Sequence, residues 1–108
     1  MSTRGLTVDL NDKTALVTGA SSGIGAAVAE ALAASGAFVW VNHPADSTVD
    51  AAEAVVTAIT EAGGKAQPVQ ADVSEEADVL AMFSQVGSGP LDILVNNAGI
   101  AHTSPIES

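Results

Sequence analysis

The chain has 108 residues, of which 47% are hydrophobic, a composition that suits one small globular domain. Its formal net charge of −10 comes from 13 acidic residues against three basic ones, so its surface repels nucleic acid and anionic membranes. Cysteine is absent, which excludes disulfides, thiolate catalysis and cysteine metal ligands. We find no apolar leader and no long apolar stretch, and therefore expect a cytoplasmic protein that binds no nucleic acid, membrane or metal.

The first half of the chain predicts two strands joined by a helix. An apolar run at residues 14–18 predicts the first strand, and residues 38–41, apolar throughout, predict a second strand that is covered on both faces. The segment between them has helical periodicity and ends at Gly36, since glycine commonly follows the last turn of a helix. The face of this helix that we expect to be buried carries Ile24, Ala27, Val28, Ala31 and Leu32.

The second half predicts two more strands, each preceded by a helix. After a loop at residues 42–48, a helix ends at Gly63-Gly64 and is expected to bury five residues at helical spacing: Val49, Ala52, Val55, Val56 and Ile59. The third strand is predicted at residues 66–71, and Pro68 favours an edge position because it has no N–H for a sheet ladder. Ser74 is predicted to cap the next helix, and residues 91–95 predict a fourth strand. The buried face of that last helix is expected to carry Val79, Leu80, Phe83 and Val86.

Three glycines lie where the first strand turns into the first helix. Gly19 lets the chain leave the strand in a conformation that a Cβ would block, and Gly23 keeps the backbone bare beside the helix start. Gly25 lets the helix lie close to the strands beneath it. The N–H groups and partial positive charge of the helix start favour an anion, so this turn predicts a diphosphate site. An ordinary tight turn is the alternative.

Alternating strands and helices with right-handed crossovers predict a Rossmann-like, three-layer α/β fold. Its parallel sheet has the strand order 3-2-1-4, which makes the first and fourth strands neighbours. A nucleotide is expected at the switch point between them. The glycine turn forms one wall of that crevice, and residues 96–99 form the other.

Three motifs resemble those of the classical short-chain dehydrogenases/reductases: T-G-A-S-S-G-I-G at 18–25, A-D-V at 71–73 and N-N-A-G at 96–99. The resemblance extends over essentially the whole chain, with the motifs in the family's order and spacing. It implies an oxidoreductase that transfers hydride between NAD or NADP and an alcohol or carbonyl. It also implies that residues 1–108 are the dinucleotide-binding half of that fold.

The resemblance assigns cofactor contacts to individual residues. Those expected around the pyrophosphate and adjoining riboses are Gly19, Ser21, Ser22, Gly23, Ile24 and Gly25. Asp72 would accept a hydrogen bond from the adenine amino group, and the amide of Val73 would meet a ring nitrogen. Asn97, Ala98 and Gly99 would border the adenosine ribose and steady the sheet. A solvated carboxylate at Asp72 and a plain turn at the asparagines are the alternatives.

The choice between NAD and NADP is assigned to the end of the second strand. NAD users of this family often have an acidic residue there, and His43 occupies the matching position. Because no carboxylate is present there to repel a 2′-phosphate, the sequence slightly favours NADP over NAD. The preference is slight because no arginine or lysine is nearby to bind that phosphate. His43 as a simple surface loop residue is the other interpretation.

The family's catalytic Ser, Tyr and Lys have no counterpart in this sequence, which contains no tyrosine, so no catalytic residue is assigned. His102 faces the nicotinamide side in this scheme, but a solvated terminal histidine is the simpler interpretation. Three hypotheses follow: the cofactor-binding portion of a dehydrogenase, a non-catalytic nucleotide-binding module, and an interaction subunit completed by a second chain. An apolar sheet face and an open edge on the fourth strand favour a homo-oligomer or association with a catalytic half.

Overall fold

The computed structural model describes residues 9–87 and 89–97, which form a four-stranded sheet with helices on both faces. Along the chain the elements are β1 (Thr14–Val17), α1 (Gly23–Ala34), β2 (Phe38–His43), a 3₁₀ turn (Asp46–Thr48), α2 (Val49–Glu61), β3 (Lys65–Gln70), α3 (Glu76–Val86) and β4 (Ile93–Val95).

The strand order is β3-β2-β1-β4 and every pairing is parallel, which confirms the predicted topology. Val17 at the end of β1 is in register with Val41 of β2 and with Val95 of β4. The carboxyl ends of these strands therefore lie at one edge of the sheet, where a nucleotide is expected. Pro68 lies on the edge strand β3, as its missing N–H requires.

Alternating residues of the strands separate two apolar layers. Ala15 and Val17 of β1 point toward α1 and α2, and join a buried cluster with Val39 and Val41 of β2. Leu16 points to the opposite face, where the buried residues of α3 cover it. This arrangement is the predicted three-layer fold.

The buried face of α1 differs from the predicted one. Its buried residues are Gly25, Ala29 and Ala33, whereas Ile24 is 68% exposed. Of the other predicted residues, Ala27 and Ala31 are exposed, whereas Val28 and Leu32 are half-buried and pack against the core. A stripe of small residues at four-residue spacing brings the helix axis close to the sheet, and the larger side chains are then left on the flanks.

The buried face of α3 also differs from the predicted one. Of the predicted face, Val86 is buried and Val79 is half-buried, but Leu80 is 63% exposed and Phe83 is 39% exposed. Met82, which was not predicted, is buried instead. The helix begins one residue later than predicted, because Glu75 and not Ser74 occupies the N-cap position. Ser74 instead donates to the carboxylate of Asp72. In α2 the predicted residues Ala52, Val55 and Ile59 are buried and Val56 is half-buried, but Val49, at the start of the helix, is 39% exposed.

Strand ends differ by one or two residues from those predicted. β2 continues through Asn42 and His43, which were assigned to a loop, because β3 pairs with them at Val69 and Gln70. β4 has three residues, and Asp92 before it exchanges two bonds with Thr14. Within the described ranges, no helix is long and apolar enough to cross a membrane.

Candidate nucleotide-binding site

The glycine turn between β1 and α1 has the backbone geometry that its glycines permit. Gly19 and Gly23 have φ values of 61° and 60°, in the left-handed region that favours glycine. A Cβ on Gly25 would lie 2.3 Å from the carbonyl oxygen of Gly19 and 2.6 Å from Nδ2 of Asn97. A Cβ on Gly23 would meet nothing within 4 Å, so the space above this glycine is open. The turn is thus closed toward the sheet and open on its outer side.

The first two amides of the turn are already bonded within the protein. The N–H of Gly19 donates to Oδ1 of Asn42 (3.0 Å), and the N–H of Ala20 donates to the Asn42 carbonyl (2.8 Å). On the other side, Nδ2 of Asn97 donates to the Gly19 carbonyl at 3.0 Å. Gly19 is therefore fixed from both neighbouring strands and has no amide proton to offer a ligand.

The first amides of α1, in contrast, have no hydrogen-bond acceptor within the helix. Ser22 is the N-cap residue, and its side chain makes no capping hydrogen bond. The bond from the N–H of Ala26 to the Ser22 carbonyl belongs to the first helical turn. The N–H groups of residues 23–25 precede it and have no intrahelical acceptor. They lie beside the exposed side chain of Ile24, with Ser21 half-buried and Ser22 exposed.

A cleft extends from the glycine turn to the segment after β3. It is lined by Gly19, Asn42, Pro44, Ala71, Asp72, Val73 and Ser74. Oδ1 of Asp72 accepts bonds from the Ser74 hydroxyl (2.6 Å) and the Ser74 N–H (2.9 Å). These two bonds lower the pKa of the Asp72 carboxyl below its ordinary value, the hydroxyl having the larger effect. Asp72 therefore presents a carboxylate at the rim of the cleft, beside the partly exposed Val73.

The segment after β4 is tied to the end of β1. The N–H of Thr18 donates to the Val95 carbonyl at 3.0 Å, and its hydroxyl lies 3.3 Å from Oδ1 of Asn96. Together with the Asn97 bond to Gly19, these contacts join the two walls predicted for the crevice. Ala98, Gly99 and His102 lie outside the described residues.

His43 is not the surface loop residue that one interpretation of the sequence proposed. It is the last residue of β2 and is only 2% exposed. Its Nδ1 lies 3.1 Å from the Ala45 carbonyl and 3.0 Å from Oγ1 of Thr48. Both oxygens lie within hydrogen-bonding distance of the ring nitrogen. The ring thus holds the 3₁₀ turn that follows β2.

Sequence reasoning overlooked Asn42, which is more central to the site than its neighbour His43. The sequence predicts that β2 ends at residue 41, which puts Asn42 at the start of a loop. Continuing the two-residue alternation of the strand by one residue would have placed its side chain on the α3 face. Among the described residues no group of acidic or histidine side chains is arranged to hold a metal ion.

Comparison with known proteins agrees with this geometry. Residues 13–108 match the family model described as short chain dehydrogenase. An uncharacterized oxidoreductase of Methylorubrum extorquens is 51% identical over 100 residues, which are 91% of this chain and 40% of that protein. The solved structure of the angucycline C-6 ketoreductase LanV with bound NADP has a TM-score of 0.71 and 41% identity, over 81% of this chain and 36% of LanV. The chain belongs to the short-chain dehydrogenase family.

The chain spans 40% or less of these two proteins. One curated relative has a comparable length. The short-chain dehydrogenase/reductase homolog YusS of Bacillus subtilis is 44% identical over 98 residues, which cover 89% of this chain and 88% of YusS.

Proposed function

We propose that this chain binds a nicotinamide dinucleotide at the carboxyl edge of β1 and β4, as the cofactor-binding part of an oxidoreductase. The observation that carries the proposal is the start of α1. Its first amides lack intrahelical acceptors, and they lie beside a glycine turn whose own first amides are already bonded. When bound, the dinucleotide supplies or accepts a hydride in exchange with a carbonyl or alcohol.

The pyrophosphate is bound by backbone N–H groups and hydroxyls. The chain has only three basic residues, Arg4, Lys13 and Lys65, and none lies in the glycine turn. Amides at a helix start favour an anion without a positively charged side chain, because the helix dipole and the N–H groups act together. Ser21, Ser22 and the open space above Gly23 leave room for the phosphates, and Ile24 offers apolar contact to the adjoining ribose.

The adenine end lies in the cleft beside Asp72. The ionised carboxylate of Asp72 accepts a hydrogen bond from the adenine amino group, and the N–H of Val73 donates to a ring nitrogen. Bonds from Ser74 occupy Oδ1 of Asp72, so the second oxygen is the acceptor for the base. Asn97, with Ala98 and Gly99, borders the adenosine ribose.

We propose NADP as the preferred cofactor, with a small margin over NAD. Residue 43 is a histidine and not an acid, so no carboxylate at the end of β2 repels a 2′-phosphate. LanV, at 41% identity, was solved with NADP bound. The margin is small because residues 38–49 contain no lysine or arginine. Affinities for ADP-ribose and 2′-phospho-ADP-ribose decide the point, and His43→Asp should favour ADP-ribose.

The binding proposal is tested by titrating the chain with ADP-ribose and following single amides by NMR. We expect the amides of residues 21–25 and 72–73 to shift. Gly23→Ala should abolish these shifts because its methyl group fills the space left open for the phosphates. Gly63→Ala is the matched control, since Gly63 also has a positive φ (93°) and open space, but lies beyond α2. Binding that survives in Gly23→Ala would overturn the assignment of the pyrophosphate site.

A second candidate function is a nucleotide-binding or interaction chain with no catalysis of its own. The observation in its favour is the comparable length of YusS. Both candidates predict that the 108-residue chain alone shows no oxidoreductase turnover, because it contains no tyrosine to act as the family's general acid/base. Loss of such a group costs about 10²–10⁴-fold in rate. Cofactor-dependent activity that persists after removal of contaminating enzymes would contradict both, and His102→Ala would then locate the catalytic group.

A further inference from the structure

Asn42 lies at the centre of the site, although the resemblance gives it no role. The residue is 1% exposed, on the face of β2 that packs against α3. Its Nδ2 donates toward the carbonyls of Ala71 (3.1 Å) and Val69 (3.3 Å), with Sδ of Met82 at 3.5 Å. Its Oδ1 accepts the N–H of Gly19 at 3.0 Å.

These bonds cross the cleft from one wall to the other. Gly19 belongs to the glycine turn, and Ala71 precedes Asp72 and Val73 on the adenine side. The turn presents a donor and the β3 end presents acceptors, so the bridging side chain must accept on one side and donate on the other. Among side chains of this length only a carboxamide both accepts and donates. An ionised aspartate can only accept, and leucine can do neither.

We propose that Asn42 is a positioning residue that holds the pyrophosphate turn and the adenine wall at the separation that one nucleotide requires. The proposal rests on the proposed function. Asn42 acts through Gly19 and Ala71, and it touches no phosphate itself. Its bond also removes the Gly19 N–H from the set of phosphate donors, so the phosphate contacts fall on the amides that begin α1.

The unmodified chain provides the first test, by hydrogen exchange measured at single amides with and without ADP-ribose. The Gly19 amide should be protected in the free protein and change little on binding, because its acceptor is Asn42. The amides of residues 23–25, which begin α1, should gain protection only with ADP-ribose. A Gly19 amide that exchanges freely until ADP-ribose is added would overturn the proposal, because its acceptor would then be the ligand.

Two substitutions separate the two sides of the bridge. Asn42→Asp keeps an acceptor for the Gly19 N–H but places carboxylate oxygen against the carbonyls of Val69 and Ala71. Asn42→Ala removes both sides. We expect Gly19 to stay protected in Asn42→Asp and to lose protection in Asn42→Ala, while affinity for ADP-ribose in the folded protein falls about tenfold or more in both.

Adenosine serves as a second probe, because it has no phosphate that a new carboxylate would repel. Its affinity should also fall in Asn42→Asp. The matched control is Asn11→Asp, which makes the same change of charge at an exposed residue before β1 and should leave both affinities unchanged. Unchanged affinities in folded Asn42→Asp would show that Asn42 is only a satisfied core residue. If the unmodified chain binds neither probe, the proposed function fails, whereas binding that is insensitive to residue 42 rejects the positioning role alone.

Discussion

Single residues divide the backbone amides of the glycine turn into two groups. Those of Gly19 and Ala20 are bonded to Asn42, which fixes the turn against β2. The amides that begin α1 have no intrahelical acceptor, and Ser22 makes no side-chain cap. The net charge of −10 repels an anion from the chain as a whole. The amides at the start of α1 nevertheless favour an anion locally.

Asp72 permits a direct test by pH titration. Bonds from Ser74 hold the pKa of the Asp72 carboxyl below its ordinary value, so its NMR titration midpoint should lie below that of an aspartate without such bonds. Ser74→Ala should raise the pKa because it removes the hydroxyl, although the backbone N–H still donates. The matched control is Ser84→Ala, on an exposed turn of α3.

The sign of the linked stability change follows from the direction of that shift. A carboxyl whose pKa is lowered in the folded state contributes stability above its unfolded pKa, and this contribution is lost as pH falls through the folded pKa. The free-energy difference between the unmodified chain and Ser74→Ala should therefore shrink in strong acid. An Asp72 midpoint that does not move in Ser74→Ala would show that the hydroxyl is not bonded to it.

Among the secondary-structure elements, the distance between each helix and the sheet decides which face of that helix is buried. In α1, Gly25, Ala29 and Ala33 form the contact, since small residues let the helix lie close to β1 and β2. In α3, Met82 and Val86 reach the sheet near Leu16. Ile24 of α1 and Leu80 and Phe83 of α3 are left exposed.

Because Met82 of α3 is buried and Leu80 is exposed, truncating these two side chains should lower the free energy of unfolding by different amounts. Met82→Ala should lower the free energy of unfolding by about 2–5 kcal/mol, because it empties a buried site. Leu80→Ala, at an exposed position of the same helix, should change it by less than about 0.5 kcal/mol. Urea denaturation measures both. If Leu80→Ala lowered the free energy of unfolding by more than Met82→Ala does, Leu80 would be buried, as the sequence periodicity predicted.

At the scale of the whole molecule, apolar surface is concentrated on the α3 side. Leu94 of β4 is 54% exposed on that face of the sheet, and Leu80 and Phe83 of α3 add to it. No described residue pairs with the outer edge of β4. Each large apolar side chain left in water forgoes about 1.5–3 kcal/mol, against a typical domain stability of about 5–15 kcal/mol. The predicted cytoplasmic location and the oligomeric state stay predictions.

This surface leads us to expect that the chain self-associates or binds a second chain near β4. Light scattering should show a mass that rises with concentration, and the amides of residues 93–95 should become protected at the same concentrations. Added salt should strengthen association, because it screens the negative charge. Leu94→Gln should weaken it, whereas Val49→Gln, on the far side of the sheet, should not. A folded monomer at all micromolar concentrations, with those amides exchanging freely, would contradict this expectation.

Strand order, the place of the glycine turn and the edge position of Pro68 are predictable from the sequence alone. These features depend on local chemistry: strand and helix periods, the handedness of crossovers, and residues with unusual backbone requirements. The cofactor contacts assigned by resemblance stay predictions for every residue named.

The buried faces of α1 and α3 and the roles of Asn42 and His43 depend on contacts between segments that are distant in sequence. Periodicity places large residues inward, but the approach of α1 to the sheet depends on Gly25, Ala29 and Ala33 fitting against strands that are distant in sequence. Pairing with β3 extends β2 through residues 42 and 43, and the strand alternation then turns their side chains to opposite faces. Asn42 thereby joins the two walls of the cleft and His43 holds the 3₁₀ turn, because a side chain's role depends on the partners that the sheet brings to it.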